Sequence, residues 1–170
     1  MSEVAVESTA PPGRYATDEE LFHALYPGLR RFAAVVGARD QEPDDLVQEA
    51  LARALKHGPL HRLDSPGGYL RRAILNLAAD TWRAAGRRER ALRLLHRDAE
   101  SSDPEPSDLS ELDRLGSLDR AVLYLADVEG YGFREVADLL DLSGTAARSR
   151  ASRARHRLRD AITSPEGDGA

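Results

Sequence analysis

Arginine is concentrated in one short stretch near the carboxyl end of the chain. Residues 148–160 read RSRASRARHRLRD and contain six arginines. The guanidinium group forms paired hydrogen bonds with phosphates and with guanine base edges. The stretch therefore predicts either a nucleic-acid contact or a solvated basic helix that packs against an acidic partner.

The arrangement of these residues around a helix favours nucleic acid. At about 100° per residue, the apolar side chains form one stripe: Ala147, Ala151, Ala154, Leu158, Ala161 and Ile162. The opposite crest carries Thr145, Ser149, Ser152 and His156, with arginines on both flanks. Small polar residues let a helix backbone approach base edges in a major groove, while flanking arginines reach the phosphates. We therefore expect this helix to read DNA.

The preceding residues predict the rest of a helix-turn-helix. GYGFREVADLLDLSGTAARSR reads as a helix, a short turn and a second helix, with Val136, Ala137, Leu139 and Leu140 facing inward. Leu142 is expected to fill the turn, and Ser143 to cap the second helix. Residues 108–115 and 117–126 predict two further helices upstream. On spacing alone, any corner between two helices would give the same pattern.

The charge of the chain, −5 overall, is distributed in blocks. Residues 71–97 carry eight arginines against two acids, whereas residues 98–113 carry seven acids and no base. The segment DAESSDPEPSD has too few apolar residues to fold, so it predicts a flexible acidic linker. The fold class expected is all-α, with two small helical domains joined by that linker. The predicted boundaries are a disordered arm 1–16, a first domain 17–97, the linker 98–111, a second domain 112–162 and a disordered tail 163–170.

Three helices are predicted for the first domain. Thr17 and Glu20 form a capping box ahead of a helix that Pro27 kinks or restarts and Gly37 ends. A second helix opens at Pro43 and closes at Gly58. The third begins at Ser65-Pro66 and is expected to end in a basic loop around residues 86–88.

Together these segments resemble a bacterial RNA polymerase sigma factor of the extracytoplasmic-function class. DDLVQEALARAL resembles that class's polymerase-binding helix, and SPGGYLRRAILNLAADTWR resembles its −10-binding helix. RAVLYLADVEGYGFREVADLLDLSGTAARSRASRARHRL is similar to its −35-binding helix-turn-helix. The chain departs from the family at Thr145-Ala146-Ala147, where Gly-Thr-Val is usual, and at Ala151, where leucine is usual.

The resemblance implies a role for each group of residues. Those expected to dock on the clamp coiled coil of the polymerase largest subunit are Asp45, Leu46, Gln48 and Glu49. Asn76 is expected to hold a flipped −10 base, with Asp80, Arg83, Arg87 and Arg88 near the melted strand. The −35 contacts are expected from Thr145, Arg148, Ser149, Ser152 and Arg153. For Leu46 a place in the core is the alternative, for Asn76 an ordinary helix surface, and for Trp82 either the core or stacking on a base.

The implied partners are core RNA polymerase and promoter DNA, and an anti-sigma factor is a further candidate. No catalytic residue, cofactor or metal is expected, since the five histidines are scattered and no metal-binding motif occurs. No apolar stretch approaches the length of a membrane span, and the expected location is the cytoplasm. A stand-alone helix-turn-helix regulator is the alternative, but it leaves DDLVQEALARAL without a role.

Overall fold

A computed structural model describes residues 15–95 and 115–163 of the 170-residue chain. These residues form six α-helices: α1 (Asp18–Val36), α2 (Pro43–Leu55), α3 (Pro66–Leu95), α4 (Ser117–Leu123), α5 (Phe133–Leu140) and α6 (Gly144–Thr163). A short 3₁₀ turn, Leu60–Arg62, precedes α3, and a π-helical turn, Tyr124–Val128, follows α4. The expected all-α class is confirmed for the described part of the chain.

The start of α1 has the predicted Thr17 cap, but Glu20 reaches back to the amide of Ala16 and not to that of Thr17. The Glu20 amide donates to Thr17 Oγ1 at 3.2 Å, and the Glu20 carboxylate accepts from the Ala16 amide at 3.1 Å. The helix continues through Pro27 and ends at Gly37, whose amide donates to the Ala33 carbonyl. Helix α1 is therefore one element rather than two.

Helices α1, α2 and α3 pack pairwise into a bundle. Its core contains Leu21, Phe32, Leu46, Val47 and Ile74, all nearly inaccessible to solvent. Asp44, in the first turn of α2, accepts hydrogen bonds from Tyr26 Oη at 2.5 Å and from Arg30 Nε at 3.0 Å. These bonds hold the amino end of α2 against α1.

Helix α3 is longer than the sequence predicted. The expectation of a basic loop at residues 86–88 is wrong, because the helix runs through them to Leu95. Alanine and arginine favour helix strongly enough to offset about 1 kcal/mol for one internal glycine. Arg90 Nε also donates to the Gly86 carbonyl at 3.0 Å, which covers the exposed backbone there.

Helices α4, α5 and α6 form the predicted helix-turn-helix unit. Asp141 ends α5 in a left-handed conformation (φ 57°), and the Ala146 amide donates to Ser143 Oγ at 3.0 Å. The predicted cap at Ser143 is confirmed. Ala147, Ala151 and Ala154 are fully buried against α4 and α5. Alanines at these positions let α6 approach its neighbours closely.

The two units contact each other directly through α4 and α5, which pack on α1 and α3. Gly68 allows a close approach, since a Cβ there would lie 3.2 Å from Leu139 Cδ2. The Arg71 and Glu129 side chains form a nearly buried ion pair at 3.4 Å across the boundary. One hydrophobic core therefore runs through both units.

Some predictions concern residues that the structure does not describe. The arm before residue 15, the acidic linker 98–111, most of the helix predicted at 108–115 and the tail after residue 163 lie outside the described ranges. Within those ranges, two predicted core positions are wrong: Leu55, expected on the buried stripe of the second helix, is 45% exposed, and Ile162 is 76% exposed. Ile162 lies one turn beyond Leu158, in the last turn of α6.

Candidate nucleic-acid interface

The polar crest of α6 faces solvent, as its pattern predicted. Thr145, Ser149, Ser152 and His156 are all exposed, directly opposite the buried alanine stripe. The helix therefore presents a small, hydrogen-bonding surface that a groove of duplex DNA can approach. Arg148 and Arg153 flank this crest and are exposed as well.

Two of the arginines on one flank of the crest, Arg150 and Arg157, are held by a carboxylate of α4. Arg150 Nη1 donates to Asp119 Oδ1 at 2.8 Å, and Arg157 Nη1 lies 3.7 Å from Asp119 Oδ2. The Asp119 side chain is only 15% exposed, so this attraction is less screened than at a surface pair. Arg150 and Arg157 therefore help fasten α6 to α4.

On the other flank, an acid and an aromatic ring hold Arg155. Its Nε donates to Asp127 Oδ2 at 3.0 Å and its Nη2 donates to Asp127 Oδ1 at 2.5 Å. Hydrogen bonding to Asp127 raises the pKa of Arg155, so it stays fully charged. The guanidinium carbons of Arg148 and Arg155 lie 5.7 and 5.8 Å from the centroid of the Phe133 ring. Both contacts are within cation–π range.

The six arginines are therefore not equivalent. Three of them pair with Asp119 or Asp127, whereas Arg148, Arg153 and Arg159 form no ion pair with any residue that the structure describes. The sequence pattern predicted two matching rows of phosphate-binding arginines. In the structure only three of the six arginines are without an ion pair to a described residue. Two of these three, Arg148 and Arg153, lie beside the crest.

A second exposed polar face lies on α3. Asn76, Asp80, Arg83 and Arg87 recur at intervals of three and four, so they lie within about 60° of one another around the helix. All four are exposed, and Arg88 is exposed about 100° further round. Arg83 Nη2 forms an ion pair with Asp80 Oδ1. The α3 face thus presents an amide and an arginine-rich rim together.

Trp82 lies beside this face at the boundary between the two units. Its ring is half-buried under the guanidinium of Arg120, 4.8 Å from the ring centroid, and its Nε1 has no hydrogen-bond partner among the described residues. Trp82 is therefore a packing residue in this arrangement.

On α2, three of the four predicted docking residues form an exposed ridge. Asp45, Gln48 and Glu49 share one side of the helix and all face solvent. Glu49 Oε1 accepts from Arg53 Nε at 2.7 Å. Leu46 is different, since it is 3% exposed and lies in the bundle core. Its side chain supports the docking ridge (Asp45, Gln48 and Glu49) from beneath.

Within residues 15–95 and 115–163, no three or more His, Asp or Glu side chains are grouped so that they could hold a metal ion. No helix in the same ranges is both long and apolar enough to cross a bilayer.

Four residues of the site were not singled out from the sequence: Asp119, Arg120, Asp127 and Phe133. Each acts on a residue far away in the chain, as Asp119 does on Arg150, 31 positions later. No local periodicity marks such a pair. The one sequence feature that could have indicated these pairs was the presence of acidic residues in a unit otherwise expected to bind DNA.

Comparison with known families agrees with this organisation. Sigma-70 region 2 matches residues 21–88, which cover the three-helix bundle. Sigma-70 region 4 matches residues 109–158, which include the helix-turn-helix. A helical bundle with a polar α3 face, followed by a helix-turn-helix, is thus the paired architecture of regions 2 and 4.

The chain therefore belongs to the sigma-70 family of RNA polymerase sigma factors, in its extracytoplasmic-function class. It is 29% identical over 164 residues to the sigma factor SigE of Mycolicibacterium smegmatis, covering 89% of this chain and 64% of that protein. It is 28% identical over 150 residues to SigM of Mycobacterium tuberculosis, covering 85% and 76%. The chain thus spans less than two thirds of SigE. Sigma factors are in general non-enzymatic initiation factors.

A solved structure shares the fold. The sigma factor RpoE from Bartonella quintana, in complex with the anti-sigma factor NepR, superposes with a TM-score of 0.63 at 21% identity. The match covers 87% of this chain and 98% of that one. It extends over both units, so the expected two-part helical architecture is confirmed.

Proposed function

We propose that the chain recruits core RNA polymerase to promoters with two elements and helps to open the −10 region. The observation that carries this proposal is the exposed crest of α6, with Arg148 and Arg153 beside it, in a chain that also has the α3 face and the docking ridge. One DNA-reading surface would suit many regulators. Three separate surfaces in this order suit a polymerase specificity subunit.

The docking ridge on α2 is proposed to bind the clamp coiled coil of the polymerase largest subunit. Asp45 and Glu49 supply negative charge, and Gln48 between them supplies amide hydrogen bonds. All three are exposed on a helix that the bundle core holds rigidly. Leu46 contributes by keeping this helix in place, so its own contact with polymerase is not required.

The α3 face is proposed to hold the melted −10 strand. Extruding a base costs a few kcal/mol of stacking, which a pocket and phosphate contacts must offset. Asn76 can hydrogen-bond the edge of a flipped base, while Arg83, Arg87 and Arg88 can bind the adjoining phosphates. Asp80 positions Arg83 through their ion pair.

The α6 crest is proposed to read the −35 element in the major groove. Thr145, Ser149 and Ser152 can approach base edges because their side chains are short. Arg148 and Arg153 can reach a guanine edge or a phosphate from beside the crest. Residues near the amino end of a recognition helix commonly make the base contacts, and these five lie in its first half.

This role needs no catalytic residue, cofactor or metal of the chain's own, so we expect no enzymatic activity. It places the chain in the cytoplasm, where bacterial polymerase and promoter DNA are found. The Bartonella relative is in complex with an anti-sigma factor, so a protein of that kind is a candidate regulator here.

The test is reconstitution with bacterial core RNA polymerase. The purified chain should co-elute with core polymerase, and the complex should transcribe selectively from a pool of genomic promoter fragments. The enriched promoters would give the −10 and −35 sequences directly. Failure to co-elute, with retained binding to duplex DNA, would instead support a stand-alone helix-turn-helix regulator.

A further inference from the structure

We propose that Phe133 and Asp127 are positioning residues for promoter reading: Phe133 orients Arg148 towards the bases, and Asp127 keeps Arg155 from the phosphates. This inference rests on the proposed −35 role of α6. It concerns a ring and a carboxylate that precede α6 in the chain and lie outside the polar crest.

The geometry places two arginines on one ring. Arg148 and Arg155 are seven residues apart, which is two turns or about 10 Å along α6. Both guanidinium groups nevertheless lie within 6 Å of the Phe133 ring centroid, at 5.7 and 5.8 Å. The two side chains must therefore converge on Phe133 from opposite ends. Such a shared contact restricts the rotamers of both.

Asp127 distinguishes the two arginines. It accepts two hydrogen bonds from Arg155, and paired charge-assisted bonds of this kind are among the strongest that side chains form. Arg155 would have to break both to follow a phosphate. Arg148 has no acid partner among the described residues, so only the ring restrains it. The ring can orient Arg148 without neutralising its charge.

The position of Arg148 fits base reading. It is the fifth residue of α6, whereas Arg155 is the twelfth, just beyond the middle of the helix. The amino-terminal part of a recognition helix lies deepest in the groove. An arginine with long, flexible torsions loses entropy when it binds a base edge. A ring that already limits those torsions reduces this loss and so favours the correct base.

The experiment measures base discrimination at the −35 element by reconstituted holoenzyme. The preferred element is first read from promoter selection with the wild-type chain. Discrimination is then the ratio of affinities for that element and for each single-base variant. Phe133→Leu removes the ring with little change in bulk, and Phe133→Tyr retains it. We expect Phe133→Leu to lower discrimination about two- to fivefold at one base pair, and Phe133→Tyr to preserve it.

A double-mutant cycle shows whether Phe133 acts through Arg148. Arg148→Ala should lower discrimination at the same base pair, and adding Phe133→Leu should lower it no further. An equal effect of Phe133→Leu with and without Arg148 would overturn the inference. The inference would also be overturned if Phe133→Leu kept wild-type discrimination while Arg148→Ala lost it. Unchanged discrimination in Arg148→Ala itself would instead show that the −35 assignment is wrong.

Asp127→Asn tests the second part. The released Arg155 should bind a phosphate, which steepens the salt dependence of binding by about one counterion. Affinity for all sequences should rise by about the same factor, so the ratio of affinities that defines discrimination should stay unchanged. Asp138→Asn is the matched control, since it removes an exposed carboxylate from α5 that pairs with no arginine of α6. Equal salt dependence in the two variants would contradict the role of Asp127.

Discussion

Arg120 covers the ring of Trp82, with its guanidinium carbon 4.8 Å from the ring centroid. The same side chain donates from Nη2 to the Val36 carbonyl at 3.0 Å, at the carboxyl end of α1. Arg120 is only 4% exposed, so little water competes for these contacts. One residue of α4 thus ties the second unit to both α1 and α3.

Replacing Arg120 by alanine should loosen the contact between the two units. The loss of a hydrogen bond from a charged group costs about 1.5–3 kcal/mol, and the Trp82 ring becomes exposed. Since Trp82 is the only tryptophan in the chain, its fluorescence reports this boundary directly. We expect a red-shifted emission and a lower free energy of unfolding, with helicity retained.

The matched control for this variant is Arg134→Ala, which removes an exposed arginine from α5 of the same unit. It should leave both the emission and the unfolding free energy close to those of the wild-type chain. Unchanged Trp82 emission in Arg120→Ala would show that the two contacts of Arg120 do not hold the units together.

The docking ridge is tested by replacing Gln48 and Glu49 together with alanine. Both side chains are exposed, so the fold should survive. The affinity for core polymerase should fall by about 1–2 kcal/mol, or roughly tenfold. The control is Glu19→Ala with His23→Ala, which removes an exposed pair from α1. Equal affinities of the two double variants would contradict the assignment.

Leu46 requires a different expectation. Because it is buried, Leu46→Ala should lower the free energy of unfolding by about 2–5 kcal/mol. Urea denaturation followed by circular dichroism measures this loss. A substitution to aspartate would unfold the bundle, so a loss of polymerase binding there would report stability and not docking. A stability change below 1 kcal/mol would show that the site repacks.

Asn76 and Arg148 should act on different promoter elements. Asn76→Ala should weaken holoenzyme binding to a single-stranded −10 oligonucleotide by about 1–3 kcal/mol and leave −35 duplex binding unchanged. Arg148→Ala should show the reverse pattern. Equilibrium binding of both oligonucleotides to both variants gives the comparison. An Asn76→Ala variant that binds the −10 strand normally would make Asn76 an ordinary surface residue.

Asp44 should make part of the stability pH-dependent. The hydrogen bond from Tyr26 lowers the pKa of Asp44; desolvation opposes this shift, and Arg30 adds to it. Since its pKa in the folded state lies below the unfolded value of about 3.9, the stabilisation is complete above that value. It is lost as the pH falls through the lower, folded pKa.

The test compares the wild-type chain with Asp44→Asn by urea denaturation at pH 7 and at pH 3. The difference in unfolding free energy between the two proteins should be larger at pH 7. Tyr26→Phe, which removes the largest cause of the shift, should also differ from the wild-type chain more at pH 7. A difference that is independent of pH would show that Asp44 has no shifted pKa.

The sequence by itself determined the helices, their order and the polar surfaces of the chain. Apolar spacing, the box at Thr17 and Glu20 and the cap at Ser143 act over three or four residues. Such short-range signals can be recognised without knowledge of the fold, because any helix brings residues three or four positions apart into contact. The exposure of Ser149 and Ser152 followed from the same periodicity.

Only the tertiary structure decided which arginines of α6 form ion pairs and which residues join the two units. Asp127 and Arg155 are 28 residues apart, and Arg120 and Val36 are 84 apart. Their contacts depend on how whole helices pack, which no local pattern encodes. The same reason applies to the surroundings of Leu46: apolar spacing already offered it a place in the core, but its close approach to Gly37 depends on the position of α1. Helix packing therefore determines that Arg155 pairs with Asp127, whereas Arg148 has no acidic partner among the described residues.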